Sequence, residues 1–223
     1  MWRILPLILL AYMVAYIDRV NVSFASLQMN DDLKFSATIY GLGGGLFFLG
    51  YALFEVPSSL MLARFSAPQW IARIMITWGL ISALMALVVG QYSFYAMRLL
   101  LGAAEAGFFP GVLLYLTYWF PSEYRARIVA VFMTSIPIAS FLGSPLSAVL
   151  LEINGLGGLK GWQWLFILEG VPTVLLGVAC LFVLTDRPSG AQWLSDAQRN
   201  WLTQRLEREA AKRRPIGHMS LLQ

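Results

Sequence analysis

The sequence predicts an all-α integral membrane protein, a bundle of six spanning helices, and three observations carry that prediction. Hydrophobic residues make up 58% of the chain and charged ones 13%, with a mean hydropathy of +0.67, whereas charged residues approach a quarter of an ordinary soluble domain. Six stretches reach the roughly 20 apolar residues that a bilayer-crossing helix needs, at about 4–27, 38–62, 70–90, 92–119, 127–151 and 163–185. If these spans alternate, twelve of the 16 basic residues fall on one side, only Lys34 and Lys160 on the other, and Arg19 and Arg98 inside. The excess of positive charge in cytoplasmic loops then puts both ends of the chain in the cytoplasm.

The first span holds Asp18 and Arg19 more than half-way along its apolar run. An Asp or Arg at the centre of a spanning helix costs roughly 2.5 to 3.5 kcal/mol, so such residues face a protein interior or a watery cavity. Two readings stay open, a structural ion pair that pins helices together and a site on an ion or substrate path. The long apolar run, the charged pair and the lack of a small-residue cleavage site distinguish this span from a secretory signal. Tyr12, Tyr16, Arg19 and Ser23 recur along one stripe of it, a row that suits either packing or a polar ligand.

The second span opens with Gly41, Gly43, Gly44, Gly45 and Gly50 and continues to Tyr51, Glu55 and Pro57. Small residues let helices approach closely in lipid, where no hydrophobic drive pulls them together. The third span starts at Trp70 after a short basic loop. The fourth carries Arg98 and Glu105, with Gly102 between them and Ala106, Gly107 and Gly111 beyond. Seven residues of helix leave Arg98 and Glu105 about 20° apart in azimuth and some 10 Å apart in depth, so they share a face. The fifth span has Pro137, Gly143 and Pro145, residues expected to bend a helix where it is buried against protein or water. The sixth begins at Trp162 and contains Glu169-Gly170 and Cys180. Glu55 and Glu169 lie nearer the span ends, which favours structural or gating roles.

After Asp186-Arg187-Pro188-Ser189-Gly190 the chain turns polar. Ser195 with Gln198 fits a capping box, and an amphipathic helix follows, with Ala197, Trp201, Leu202 and Leu206 on one side and arginines elsewhere. This predicts a helix along the cytoplasmic surface with its arginines near anionic headgroups. The expected division is therefore 1–185, a six-span bundle, and 186–223, a cytoplasmic connector leading to a carboxy-terminal half that the sequence lacks.

With one histidine, His218, and one cysteine, Cys180, there is no thiolate-imidazole pair and no ligand set for zinc. No metal or other cofactor is expected. The positive charge is distributed by topology rather than as a patch, so no nucleic-acid partner is expected. An enzyme reading lacks a nucleophile and base within the membrane. Glycine-rich, bent helices with internal charge fit an occluding carrier better than an open pore.

Two spans each supply one arginine and one carboxylate. Arginine binds carboxylates bidentately and does not lose its proton, which makes Arg19 and Arg98 candidate anion-binding residues. Asp18 and Glu105 are candidate proton carriers, whose protonation would release the arginines to an anionic substrate. A permanent salt bridge from Glu105 to Arg98 or Arg19 is the competing reading.

The segments Tyr16-Ile17-Asp18-Arg19-Val20-Asn21, Arg98-Leu-Leu-Leu-Gly-Ala-Ala-Glu105-Ala-Gly-Phe-Phe-Pro110, Trp119-Phe-Pro-Ser-Glu-Tyr-Arg-Ala-Arg127 and Gly161-Trp-Gln-Trp-Leu-Phe-Ile-Leu-Glu-Gly170 together resemble the anion:cation symporter family of the major facilitator superfamily. The resemblance implies the amino-terminal half of a twelve-helix fold with 3+3 inverted repeats, in the cytoplasmic membrane. It also implies a secondary transporter that imports a small organic carboxylate with protons by alternating access; sodium coupling or an uncoupled facilitator is the alternative. By the same resemblance Tyr16 and Tyr51 line the substrate cavity, Arg19 and Arg98 recognise substrate, and Asp18 and Glu105 couple the cation. The expected partners are the anion, the proton, the lipid bilayer and the other half of the polypeptide. Two departures stand out. The loop Ala63 to Arg73 keeps arginines but lacks the superfamily's usual Gly and Asp, and Ile136-Pro137 is less polar than in some sugar-acid carriers.

Overall fold

The computed structural model describes residues 3–213, so His218 and the end of the connector lie outside the described residues. Among the described residues the chain forms α1 (Leu5–Leu33), α2 (Ala37–Arg64), α3 (Ala67–Leu84), α4 (Gln91–Glu105), α5 (Phe108–Trp119), α6 (Ser122–Met133), α7 (Ser135–Glu152), α8 (Gly161–Val183) and α9 (Asp196–Arg213), with no strand. Six membrane-length apolar spans result: Leu5–Leu33, Ala37–Leu62, Ala67–Leu87, Gln91–Trp119, Ser122–Glu152 and Gly161–Val183. They match the six expected stretches. The largest shifts are in the first, which runs to Leu33 rather than to about 27, and in the fifth, which begins at Ser122 rather than near 127.

Two spans are broken where the sequence suggested one continuous helix and one bent one. The fourth divides at Ala106-Gly107 and the fifth at Thr134. Each break lies just before a proline, Pro110 at the third residue of α5 and Pro137 at the third residue of α7. A proline ring within a helix clashes with the carbonyl four residues earlier, here that of Ala106 and of Met133. At the third position of a new helix the missing N–H goes unneeded, because the first four amides have no partner within the helix. Pro145 instead sits inside a continuous α7. Gly107 adopts φ +86°, a left-handed conformation glycine reaches without penalty, and a Cβ there would fall 2.2 Å from Ser58 Oγ.

The packing has a twofold logic. The dominant contacts are α3 with α8, α2 with α4, α1 with α8, α1 with α7 and α3 with α4. Exchanging the first three spans for the last three turns α2–α4 into α7–α1 and α1–α8 into α4–α3, and leaves α3–α8 unchanged. This is the pattern of 3+3 inverted repeats. Closeness is set by small residues. A Cβ on Gly102 would lie 2.0 Å from the Phe47 carbonyl oxygen, so α4 seats directly on the backbone of α2, whereas Gly41, Gly44 and Gly45 have no heavy atom within 4 Å of an added Cβ.

Along the spans, two apolar clusters bracket a polar layer. One gathers Ile8, Ala15, Met75, Trp78, Tyr115 and Cys180, and the other Val22, Met29, Met85, Phe94, Trp162 and Phe166. Between them in depth lie buried Asp18, Asn21, Ser82, Arg98, Glu169 and Thr173. The outside carries exposed Phe48, Leu53, Val89, Phe141 and Phe182, the inverse of a soluble surface and appropriate to contact with lipid.

The loop ends are tied by polar contacts. Lys160 pairs with Asp32, and Trp162 Nε1 donates to the same carboxylate at 3.0 Å. At the opposite end the Ser195–Gln198 capping box is present, with Ser195 N donating to Gln198 Oε1 and Gln198 N to Ser195 Oγ, both at 3.3 Å. The face of α9 differs from the expected one. Leu202 packs toward the bundle while Trp201 is 61% exposed. Its basic residues also meet acids of the protein: Arg205 pairs with Glu123 and Glu209, and Arg199 with Asp196. Glu209 caps α6 from outside, accepting from Ser122 N at 2.9 Å. Although burial acts the other way, the Ser122 bonds and the charges of Arg125 and Arg205 hold its carboxyl below the ordinary range.

Two outcomes are expected. Gly102→Ala should destabilise the protein by about 1–3 kcal/mol through overpacking, read as a lower unfolding midpoint in detergent, while Gly44→Ala should not. Because the Glu209 carboxyl is depressed in the folded state, its contribution to holding α9 is present above the ordinary glutamate value of about 4.3 and is lost as pH falls through its folded value. Protection factors of α9 amides, corrected for the intrinsic pH dependence of exchange, should therefore fall at acidic pH, and Glu209→Gln should lower them at pH 7.

Candidate functional site

The site lies in the polar layer where α1 meets α3, α4 and α8. Successive helical residues point about 100° apart, so Asp18 and Arg19 face different neighbours. They are not a pair. Asp18, 1% exposed, turns toward α3, where Trp78 Nε1 and Ser82 Oγ both donate to its carboxylate, and Asn21 Nδ2 adds a third bond at 3.0 Å. Arg19 turns toward the fourth span and forms an ion pair with Glu105, its guanidinium carbon 5.5 Å from the centre of the Tyr51 ring. Of the two salt-bridge partners left open for Glu105, Arg98 and Arg19, the structure shows Arg19.

Arg98 shares the face of α4 with Glu105 as the spacing requires, and both are buried, at 5% and 2% exposure. Its guanidinium lies over the Phe47 ring, 4.7 Å from the ring centre, and its Nε is buried with no hydrogen-bond partner. Among the described residues no carboxylate is within ion-pairing distance of it. A cation over an aromatic face is stabilised by the ring's quadrupole, but that leaves the planar N–H donors of the guanidinium available. Phe47 in turn packs beside Tyr51, ring centres 6.3 Å apart. Arg98, Phe47, Tyr51, Arg19 and Glu105 therefore form one contiguous group.

The break after Glu105 shapes this group. Because α4 ends at that residue, the carboxylate stands at a helix terminus beside the Gly107 turn. The fourth span read as an unbroken helix with small residues for packing; the signal for the break was Pro110, four residues beyond Ala106.

The other candidates are less central. Tyr16 is half-buried and borders Tyr12, and no hydrogen bond or ring contact joins it to Arg19 or Arg98 among the described residues. Tyr12 belongs to an aromatic cluster, stacked on Phe132 at 4.3 Å and near Phe109 at 5.9 Å. The stripe Tyr12, Tyr16, Arg19 and Ser23 is thus not one polar row. Trp78 and Ser82, which hold Asp18, went unread in the sequence, and their spacing of one turn on α3 was the only available signal. The sequence position of Glu169 predicts a place nearer a span end, yet it is 4% exposed and accepts from Ser147 Oγ at 3.0 Å. Among the described residues no cluster of His, Cys, Asp and Glu could hold a metal ion.

A multi-span membrane protein with a charged layer buried at a repeat interface is the class that fold and site define together. Residues 8–222 match the Major Facilitator Superfamily, and the chain belongs to that family, whose members are membrane transporters and not enzymes. A relative from Agrobacterium vitis, named as a candidate tartrate transporter, is 55% identical over 98% of this chain and 51% of its own length. A quinolone resistance transporter of Acinetobacter baumannii is 46% identical over 99% of this chain and 51% of its own length. The inner membrane transport protein RhmT of Escherichia coli is 41% identical over 93% of this chain and 48% of its own length. The chain thus spans about half the length of the curated relatives it matches. Among solved structures, a bacterial homologue of the human lysosomal transporter Spinster, inward-facing and unoccupied, superposes with a TM-score of 0.78 at 19% identity. That match covers 84% of this chain and 43% of the other, and it shows a shared fold.

Trp78→Phe keeps an aromatic ring but removes one donor from the buried Asp18 carboxylate. A buried acceptor left short of a partner costs about 1–3 kcal/mol. Unfolding in detergent should show a loss of that size, and Asp18→Asn combined with Trp78→Phe should cost less than the two single losses added together.

Proposed function

We propose that the full-length protein is a secondary transporter that takes up a small organic carboxylate with protons by alternating access. The observation that carries the reading is Arg98, a buried guanidinium with no carboxylate beside it, next to an Arg19–Glu105 pair that one proton could open. A substrate carboxylate would dock on the free donors of Arg98 against the Phe47–Tyr51 aromatic wall. Protonation of Glu105 would remove the charge that holds Arg19, which would then swing to the same anion. Asp18, already saturated by three donors, is the second candidate proton carrier and releases neither arginine directly. Tyr51 contributes to the wall, and Tyr16 lies at its margin.

The relatives support this reading in kind. One name refers to tartrate, a dicarboxylate, and one to an inner membrane. In this reading residues 1–185 form one half of the transporter and 186–223 the connector. Both termini of the chain, with α9, face the cytoplasm, and a second half, as in relatives twice the length, supplies the opposite wall of the cavity.

Reconstituted full-length protein should accumulate a carboxylate when an inward proton gradient is imposed. Losing a charge-assisted contact of about 1.5–3 kcal/mol predicts that Arg98→Ala weakens substrate binding roughly 10- to 100-fold. Glu105→Gln should abolish gradient-driven accumulation yet retain exchange of internal for external substrate. Uptake that ignores the proton gradient and persists in Asp18→Asn with Glu105→Gln would sink proton symport, and uptake driven by a sodium gradient would replace the coupling ion.

A further inference from the structure

Glu169 belongs to a second buried carboxyl group in the same layer, apart from the Arg19–Glu105 pair. It stands in the middle third of the buried path of α8, with Thr173 one turn on donating to its backbone carbonyl at 3.2 Å. Its side chain meets α7 through Ser147 Oγ, which donates to Oε1 at 3.0 Å, and meets α1 through Asn21. The Asn21 amide donates to Asp18 Oδ1, and Asn21 and Asp18 together are the polar neighbours that α1 presents to Glu169.

The two carboxyls are treated very unequally. Asp18 receives three donors. Glu169 receives one donor, its Oε2 is buried with no partner at all, and no cation pairs with it among the described residues. The charged or titratable neighbours can be named element by element. From α1 comes Asp18, whose negative charge opposes a second one. From α7 comes the uncharged Ser147. From α3 come Trp78 and Ser82, both spent on Asp18. An unpaired carboxylate in an apolar interior is far costlier than a neutral acid, and the usual resolution is to keep the proton. Two neighbouring carboxyls likewise do not both ionise cheaply.

We propose that Asp18, Asn21 and Glu169 form one buried acid pair carrying a single negative charge, with the charge on Asp18 and the proton on Glu169. The proton occupies the otherwise unpartnered Oε2, leaving Oε1 to accept from Ser147. Such a pair titrates as a unit, so Glu169 is a proton-holding site at the depth of Asp18, separate from the gate at Glu105. Its use as a store for the coupling proton rests on the symport reading; its protonation does not.

Infrared spectroscopy of the full-length protein in lipid tests this without any transport measurement. The difference spectrum of wild type minus Glu169→Gln at pH 7 should contain a carboxylic-acid C=O band that shifts in heavy water. Ser147→Ala, which removes the donor to Oε1, should move that band to higher frequency and leave its intensity. Asp18→Asn should lower the pH at which the band disappears. A difference spectrum holding only carboxylate bands at pH 7 overturns the proposal. If Glu169→Gln does not fold, folded Ser147→Ala decides it: a shifted acid band supports the assignment, and unshifted acid bands overturn it. Coupled uptake without the band refutes the proton on Glu169 alone, and the band without coupled uptake refutes symport alone.

Discussion

A charge buried between helices in lipid has to be met by atoms of the bundle, because no water stands behind it, and the polar layer is organised by that requirement. Asp18 is met by three donors drawn from two helices. Arg19 and Glu105 meet each other across the gap between the first and fourth spans. Each such contact locks a crossing: α1 to α3 in the first case, α1 to α4 in the second. Arg98 is the exception. An aromatic face stabilises it partially, and its buried Nε has no partner. Unlike Arg19, it has no carboxylate at ion-pairing distance among the described residues, and that incomplete solvation is what gives the position its chemical interest.

The helical frame supplies the layer's depth. Apolar clusters lie above and below the layer, so the buried groups between them interact in a poorly screened medium. The breaks at Ala106-Gly107 and Thr134 adjoin the first of these clusters, beside Phe108 and Phe132, with Glu105 immediately before the first break. Both are placed by prolines at the third position of the following helix. A helix end inside a membrane protein is tolerated only where protein or a cavity can satisfy the exposed backbone, which ties the location of the breaks to the interior site.

Much of this was legible in order along the chain. Hydropathy located six spans to within a few residues, since burial in lipid demands a long apolar run whatever the packing. The helical period put Arg98 and Glu105 on one face, and the Ser195–Gln198 cap followed from local chemistry. Other readings needed the third dimension. Adjacent Asp18 and Arg19 looked like a pair, but helix geometry sends their side chains to different partners. Trp78 and Ser82 carried no distinguishing pattern, being ordinary residues of an apolar helix until α3 is laid against α1. Glu169 looked terminal because sequence position was measured against the ends of an apolar run, whereas its surroundings depend on how α8 crosses α1 and α7.

What the sequence by itself determined is the set of one-dimensional properties: the number and extent of the spans, the presence of costly charges within them, and the prolines that stop a helix. The tertiary structure alone decided the pairing. Which carboxyl meets an arginine, which is saturated by neutral donors and which is left with an open oxygen depend on helix crossings set by close contacts such as Gly102 on Phe47. Residues with the same chemistry, Arg19 and Arg98, or Glu105 and Glu169, therefore end in different electrostatic states. Coulomb energy in a dry interior is little screened and scales with the inverse of separation, and those separations exist only once the helices have packed.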